Sequence, residues 1–481
     1  MGKGNSNSIL TKSLIGIFLL VLAFGCQDDL LNTGLENDSE NIELKSAAFS
    51  EYMVISRSET LPGSLQEQIQ AFGVVIKTVP EIGLMVVSPT TDDFEKKVGK
   101  LNGVMGVVPN LRLKGVNQGG LSLLANPPSI GDDEDLFELQ WALDAIDAPE
   151  AWNAGYTGAN TRVFILDTGI DPNHPDLEQN LNTELSKSFV PGESYAYNGG
   201  YWAWHGIMIA GIIAAADNQI GTIGVAPDAE IVALKVFSEF SGEGQISWVC
   251  DAIVYAANNG ADLMNMSFGW LFYKNGFYYD ENGDLQKVPA VYVQNIIHLF
   301  KRAVDYADKK GVVMVVAAGN DGLSADGNGS LFDVPASFEN VISVSATAPD
   351  YWYGDLVNGT TDTNFDIPAH YTTYGRSFID IAAPGGDYDY AFMGEPENWW
   401  YDGIIAPVQE PFGYWEWGMG TSFAAPHVVG VAALIIGKNG GQMNPRQVRQ
   451  QLLKTADPID CNGQSPFFGK GRVNAYRAVT E

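Results

Sequence analysis

Cysteine, histidine and positive charge are scarce in this chain of 481 residues. Three cysteines cannot build a disulfide framework, so the fold must rest on a hydrophobic core. Lys and Arg number 27 against 58 Asp and Glu, a formal net charge of −31. A surface so acidic repels phosphate, which excludes nucleic acid as a partner. It suits an extracellular protein, a calcium binder or a handler of basic substrates. Charged residues of all kinds make up 18% of the chain, below the roughly 25% that is usual. With 46% hydrophobic residues, the chain is neither disordered nor a stapled miniprotein. Membrane-spanning hydrophobic runs are also missing. The apolar run Leu14–Phe24 has 11 residues, where a spanning helix needs about 20.

What is present begins with that short run. Lys3 and Lys12 precede it, and the pattern is a secretory signal over residues 1–25. It ends in Leu22-Ala23-Phe24-Gly25-Cys26, which resembles a bacterial lipobox with Cys26 as the lipidated residue. Phe24 is unusual there. Gln27-Asp28-Asp29 loosely resembles the surface-export signals of some Gram-negative lipoproteins. Residues 26–50 are polar and read as a tether, so the membrane enters only through the N-terminal lipid.

Residues 52–114 predict a small domain. Strands are expected at Tyr52–Ser56, Val74–Val79, Leu84–Val87 and Val104–Leu113, with helices at Pro62–Phe72 and Asp92–Leu101. This β-α-β-β-α-β order is a ferredoxin-like α+β unit, which by itself says little about function. Residues 115–135 are rich in Gly, Pro and Asp, the composition of a linker.

A large domain is expected over residues 136–481. Short apolar strands (Val163–Leu166, Ile231–Val236, Leu263–Met266, Val312–Ala317, Val341–Val344) alternate with helices (His205–Ala216, Ile246–Asn258, Asn295–Lys309, Ser422–Ile436). Near-continuous apolar strands separated by helices imply a parallel α/β sheet covered on both faces. Sites in such sheets form at the carboxyl ends of strands.

Three segments carry chemistry. Asp167-Thr168-Gly169 follows directly on a strand, His205-Gly206 opens an apolar helix, and Gly420-Thr421-Ser422 opens another. Each alone has an ordinary structural reading: a turn aspartate, a packed histidine, an N-cap. Together they supply a nucleophile, a base and a carboxylate that fixes the base's tautomer. Ala317-Ala318-Gly319-Asn320 adds a side-chain amide at a strand end, able to stabilise an oxyanion.

These motifs resemble those of the subtilisin-like serine proteases, the subtilases, whose triad order and asparagine oxyanion donor are standard illustrations of both devices. The matching text is Asp167-Thr168-Gly169-Ile170-Asp171, His174-Pro175-Asp176-Leu177, His205-Gly206, Gly224-Val225-Ala226-Pro227, Asn265-Met266-Ser267-Phe268-Gly269, Ala383-Pro384-Gly385, the Ser422 motif and Gly469–Ala475. It covers about residues 136–480, and residues 52–114 resemble the family's inhibitory propeptide. The fold implied is a subtilisin-like doubly wound parallel sheet after a small α+β ferredoxin-like prodomain. Ile207 and Met208 stand where Thr and His are common, and Phe423 where Met is frequent. The stretches 270–295, 351–370 and 386–418 are long and aromatic-rich, and either wall the cleft or pack as structure.

The resemblance implies a self-processing endopeptidase with Ser422 as nucleophile, His205 as general base and acid, Asp167 as its orienter and Asn320 as oxyanion donor. No catalytic cofactor is implied. Extended polypeptide substrates would dock between Gly242-Glu243-Gly244 and Ser267-Phe268-Gly269. Asp333, two residues before Pro335, would lie at the floor of the first specificity pocket and, with Glu243 nearby, favour Lys or Arg at P1, the residue whose carbonyl is attacked. A structural Ca²⁺ is expected on Asp176, Asn218, the backbone oxygens of Ala216, Ile220 and Thr222, and Glu134 or Asp135. Cys250 and Cys461 either pair after export or stay as free thiols. The expected life history is a monomeric, lipid-anchored zymogen inhibited by its own propeptide. A cut within 115–135 would release the catalytic domain to the periplasm or medium. The alternative is a catalytically idle fold that captures glycan or protein with its aromatic insertions. A glycosidase is not supported, because no carboxylate pair can be placed at catalytic spacing.

Overall fold

A computed structural model describes residues 49–114, 129–280, 284–326, 330–358, 363–387, 399–410, 413–441, 443–460 and 463–481. The signal segment, Cys26, the tether up to residue 48, Cys461 and residues 115–128 of the linker lie outside the described residues.

The small domain has the expected order of elements. Its antiparallel sheet runs Gly73–Val79, Leu84–Pro89, Tyr52–Ser56, Val104–Pro109. Strand alternation sends Val54, Met85, Val87 and Val107 to one face, under the helices Gly63–Gln70 and Phe94–Val98. Met53, Ile55, Leu84 and Val108 go to the other face. Both helices are shorter than expected. Pro62 caps the first and Gly99 ends the second. The run Val104–Leu113 is two strands rather than one. It breaks after Pro109, and Arg112–Lys114 leaves the small sheet to pair elsewhere.

The large domain is the expected parallel sheet. Its order is Ile367–Pro368, Ile342–Ala348, Val313–Ala317, Leu263–Met266, Arg162–Asp167, Glu230–Lys235, Lys187–Ser188. Ile381–Pro384 also pairs in parallel with Ile342–Ala348, and only Ile367–Pro368 pairs antiparallel. The central strand shows why its residues are apolar throughout. Val163 and Ile165 face the core shared with helices Trp204–Ala214 and Thr421–Lys438. Phe164 and Leu166 face the core shared with helices Ile246–Asn258 and Ala290–Lys309. Helix Thr421–Lys438 is apolar enough to cross a membrane by length and composition, but 89% of it is buried inside the protein.

The second core also receives the outer face of the small domain, so Met53, Ile55 and Val108 share it with Ile253, Ile296 and Phe300. Polar contacts fix the seat. Arg302 donates through Nη1 to the Ser56 carbonyl at 2.8 Å, Lys77 pairs with Asp251, and Asn110 donates to Gln245 Oε1 at 2.7 Å. Residues 129–135, read from sequence as the end of the linker, are folded onto the large domain. Gly131 packs against Ile223, where a Cβ would lie 2.6 Å from its side chain.

Parts of the long stretches pack as structure. Trp270–Tyr273, Phe277–Tyr279 and Leu285–Lys287 join Leu331–Val334 in a sheet ordered Leu285–Lys287, Phe277–Tyr279, Trp270–Tyr273, Leu331–Val334. Ile404–Pro407 and Trp415–Gly418 pair as a second hairpin. Its Ile404, Ile405 and Trp417 join Trp141, Trp204, Met208, Ile212, Trp352 and Phe423 in a separate aromatic core. Cys250 is buried and free among the described residues, and its expected partner Cys461 lies outside them.

Candidate active site

Asp167 closes its strand at the carboxyl end and is buried. Its Oδ1 accepts from His205 Nδ1 at 2.8 Å and from Thr168 N at 2.7 Å. His205 stands in the first turn of helix Trp204–Ala214, which is brought against the aspartate turn by Gly206. Gly206 N donates to Thr168 Oγ1 at 2.9 Å, and a Cβ on Gly206 would lie 2.3 Å from the Gly169 carbonyl oxygen. Only glycine permits that approach. Of the two departures beside it, Ile207 is buried in the main core and Met208 in the aromatic core. Neither side chain reaches the chemistry.

Ser422 is the second residue of helix Thr421–Lys438 and is buried. Phe423 lies edge-on to the His205 ring with centroids 5.7 Å apart, and Trp204 does the same at 5.4 Å. With Nδ1 committed to Asp167, His205 Nε2 is buried without a hydrogen-bond partner, and so is Ser422 Oγ. These are the two atoms a proton transfer would use.

Asn320 Oδ1 accepts from both the backbone N and the hydroxyl of Thr421, at 2.9 and 2.8 Å. That orients the amide, leaving Nδ2 for another acceptor. Gly420 has φ 146°, and a Cβ there would fall 3.0 Å from Ser422 Oγ and 3.2 Å from Asn320 Nδ2. Glycine therefore keeps open a space between nucleophile and amide donor. Pro426, expected in the first turn, lies inside the helix.

The two segments expected to flank the substrate are both described. Glu243–Gln245 is a short strand, and its partner is Arg112–Lys114 from the end of the small domain, paired antiparallel with Leu113 opposite Gly244. Gly242, with φ 74°, lies under the Trp202 ring, and Gly244 packs on Phe237. On the opposite edge, Ser267 Oγ donates to the Ser422 carbonyl at 2.7 Å, and Phe268 packs on Phe237 and Trp270.

Asp333 lies on the strand Leu331–Val334 and is 4% exposed. Its carboxylate is aimed at two glycines. A Cβ on Gly269 would lie 2.7 Å from Asp333 Oδ1, and one on Gly319 3.4 Å from Oδ2. Oδ1 has no partner. Burial, with the charge of Asp321 added, pushes this carboxyl well above its ordinary range. Asp321 was missed in the sequence. Its Oδ2 would lie 3.3 Å from the same Gly319 Cβ, a contact visible only in three dimensions. Glu243, expected to help Asp333, instead lies on the edge strand opposite Lys114.

The residues expected to hold calcium are together. Asp176 is fully buried, and its Oδ2 accepts from Thr222 N (3.1 Å), Thr222 Oγ1 (3.0 Å) and Trp415 Nε1 (2.7 Å). Asp176 Oδ1 and Glu134 Oε2 are buried without a partner. Burial, with Glu134 adding its charge, pushes Asp176 up to about 7 despite those three donors. Glu134 Oε1 takes the backbone N–H groups of Asn218 and Gln219, and Asn218 Oδ1 takes that of Ile220. Of the two N-terminal alternatives it is Glu134 that reaches this loop; Asp135 is exposed. Asp133 and Asp217, also missed in the sequence, bring carboxylate oxygens within 4.8 Å of Glu134 and of each other. Two orphaned buried carboxylate oxygens fit a divalent cation with oxygen ligands.

Residues 158–471 match the model of the Subtilase family. Subtilisin NAT of Bacillus subtilis subsp. natto is 34% identical over 341 residues, 71% of each chain. Subtilisin Savinase of Lederbergia lenta is 33% identical over 71% of this chain and 98% of its own. Fervidolysin from Fervidobacterium pennivorans, a keratinolytic enzyme related to subtilisin, shares the fold with a TM-score of 0.67 and 25% identity, over 91% of this chain and 62% of its own. The epidermin leader peptide processing protease of Staphylococcus aureus overlays with a TM-score of 0.69 at 24% identity, over 90% and 98% of the two chains, a likeness of fold alone.

Proposed function

The chain belongs to the subtilase family and is a serine-type endopeptidase, and we propose that it works through Asp167, His205 and Ser422. The observation that carries this is the 2.8 Å bond from His205 Nδ1 to Asp167, with His205 Nε2 and Ser422 Oγ both buried and without a hydrogen-bond partner. Ser422 Oγ attacks the peptide carbonyl as His205 Nε2 takes its proton. The imidazolium is stabilised by Asp167 and then protonates the leaving amine. Asn320 Nδ2 and the orphan backbone N–H of Ser422 receive the oxyanion in the space Gly420 keeps open. Water then repeats the sequence on the acyl-enzyme. Asp333, buried and unpartnered beside Gly269, supports Lys or Arg at P1.

The small domain is proposed as an inhibitory propeptide. Its support is the pairing of Arg112–Lys114 with the cleft edge, the backbone exchange an extended substrate would make. The chain is made as an exported precursor anchored through Cys26, and a cut between 115 and 135 frees the catalytic domain. Asp176, Glu134, Asn218 and the carbonyls of Ala216, Ile220 and Thr222 would hold Ca²⁺, which when bound neutralises the buried carboxylates and clamps the loop to the N-terminal segment. The idle binding-protein reading is not favoured by the family match, and of the insertion tryptophans Trp352 and Trp417 are buried in a core.

Intact mass of the purified wild type beside Ser422→Ala, both without the signal segment, tests the reading. Loss of residues up to the linker in the wild type, with Ser422→Ala at full length, is the expected result. Two full-length products, with no labelling of the wild type by a fluorophosphonate, would overturn it.

A further inference from the structure

A buried cation stands beside Asp167 and takes no part in the proton transfers. Lys235 ends the strand Glu230–Lys235, pairs with Asp167 in the parallel register and is fully buried. Its stem runs past the aspartate turn, where a Cβ on Gly169 would lie 3.3 Å from Lys235 Cε. Its Nζ lies 3.0 Å from Glu193 Oε2 and 3.2 Å from Glu239 Oε1. Nζ makes no aligned hydrogen bond with either, so what joins the three groups is charge. The two glutamates take their hydrogen bonds from segments that serve the site. Glu239 Oε2 accepts from Asn198 N at 3.0 Å, and the Glu239 carbonyl accepts from Trp202 N at 2.8 Å. That holds residues 198–202, which lead directly into the helix of His205. Glu193 accepts from Ser238 Oγ and, at 3.1 Å, from Glu239 N. Ser238 N donates to the Glu243 carbonyl and the Ser238 carbonyl accepts from Gly242 N, both at 2.9 Å, which closes the turn before the strand Glu243–Gln245. One ammonium thus sits where the aspartate turn, the approach to the histidine helix and a segment expected to flank the substrate come together.

We propose that Lys235 is a positioning residue: by drawing Glu193 and Glu239 onto one buried charge it sets His205 against Asp167 and Ser422. This rests on the reading of those three residues as the triad. A buried ion cluster adds little net stability, because desolvation offsets the attraction, whereas removal of one partner leaves uncompensated charge behind. What the ammonium supplies here is geometry. Without it two carboxylates face the same buried space, and like charges there repel. The glutamates then part, and each carries with it the backbone it holds. The helix of His205 follows residues 198–202, so the imidazole shifts relative to the nucleophile. A displacement of about 1 Å at a reacting group costs on the order of a hundredfold in rate.

The test is kcat and KM on one fluorogenic peptide for wild type, Lys235→Met and Lys235→Arg, with active sites counted by a fluorophosphonate taken to its endpoint. Counting sites removes the folded fraction from kcat. In Lys235→Met we expect kcat per site to fall about a hundredfold, by more than KM rises. Lys235→Arg keeps the charge and should bring kcat back to within about tenfold of wild type. A role in stability alone lowers the melting temperature and the number of sites but leaves kcat per site as it was. That result overturns the inference, and so does a Lys235→Arg as slow as Lys235→Met. Should Lys235→Met not fold, Glu239→Gln decides, since it keeps the shape and removes one of the two charges that Lys235 draws in. Its kcat per site should fall about tenfold, and a wild-type value overturns the inference. A wild type that takes no fluorophosphonate label defeats the triad reading, and this inference with it.

Discussion

Ser267 Oγ donates a 2.7 Å hydrogen bond to the backbone carbonyl of Ser422, the acceptor that Pro426 leaves unserved four residues on. In an uninterrupted helix that carbonyl would take the N–H of residue 426, but proline has none. The hydroxyl of Ser267 is oriented in turn by Asn265, whose Nδ2 donates to it at 2.9 Å. The carbonyl of Ser422 is thus served by the segment that follows the strand Leu263–Met266 rather than by its own helix. Ser267→Ala strands a buried acceptor and should cost about 1–3 kcal/mol of stability. It should also lower kcat more than it raises KM, because the loss falls on the position of Oγ. A thermal melt and a Michaelis–Menten series check both. An unchanged kcat would show that the helix holds Ser422 unaided.

Gly206 offers a sharper structural test. Its missing Cβ is what allows the histidine helix to rest on the Gly169 carbonyl. Gly206→Ala must push backbone from backbone, since no side chain can yield. Destabilisation of about 3 kcal/mol or more is expected, with loss of fluorophosphonate labelling. Labelling at the wild-type rate would mean that the Asp167–His205 contact survives the displacement.

Much of this was legible in the sequence, for identifiable reasons. The strands Tyr52–Ser56 and Leu263–Met266 and the helix Ile246–Asn258 have the bounds expected, because their apolar residues follow one clean period. Asp167, His205, Asn320 and Ser422 could be put forward because each sits in a local motif at a strand end or helix start. What could not be read depends on partners far away in the chain. Val104–Leu113 looks like one strand, since nothing local says that its last part pairs with Glu243–Gln245. Asp321 comes near Asp333 only through the fold around Gly319. Trp415 reads only as part of an aromatic-rich stretch until its indole is seen on Asp176. Pro426 reads as a first-turn proline because the helix start was placed by the serine alone.

The acidic pocket carries a pH signature. Burial and the neighbouring Asp321 charge raise the Asp333 carboxyl, so in the resting enzyme it holds its proton to higher pH than an ordinary aspartate. A cationic P1 side chain needs the carboxylate, whereas an apolar one does not. The ratio of kcat/KM for Arg over Phe should therefore rise as pH rises through the raised value and fall below it. Any pH dependence common to the two substrates cancels in that ratio. Measured from acid to alkaline pH with one enzyme stock, a flat ratio would remove Asp333 from the pocket.

Asp176 and Ser422 are joined by one short strand. Trp415 donates its indole N–H to Asp176 Oδ2 and packs on Gly221, where a Cβ would lie 2.1 Å from the ring. The same residue begins the strand Trp415–Gly418, which runs directly into Gly420 and Ser422. A cation bound by Asp176 Oδ1 and Glu134 Oε2 would leave the indole bond in place while removing the cost of two buried, unpaired carboxylate oxygens. Ion at about a hundredfold over its dissociation constant would add about 2.7 kcal/mol. Millimolar Ca²⁺ should raise the melting temperature by several degrees over chelator-treated protein. Titration should also change tryptophan emission, and Trp415→Phe should diminish that change while Asp176→Asn abolishes the thermal shift. Identical melts with Ca²⁺ and with chelator would mean that Asp176 is held by Thr222 and Trp415 alone, with its proton in place of a metal.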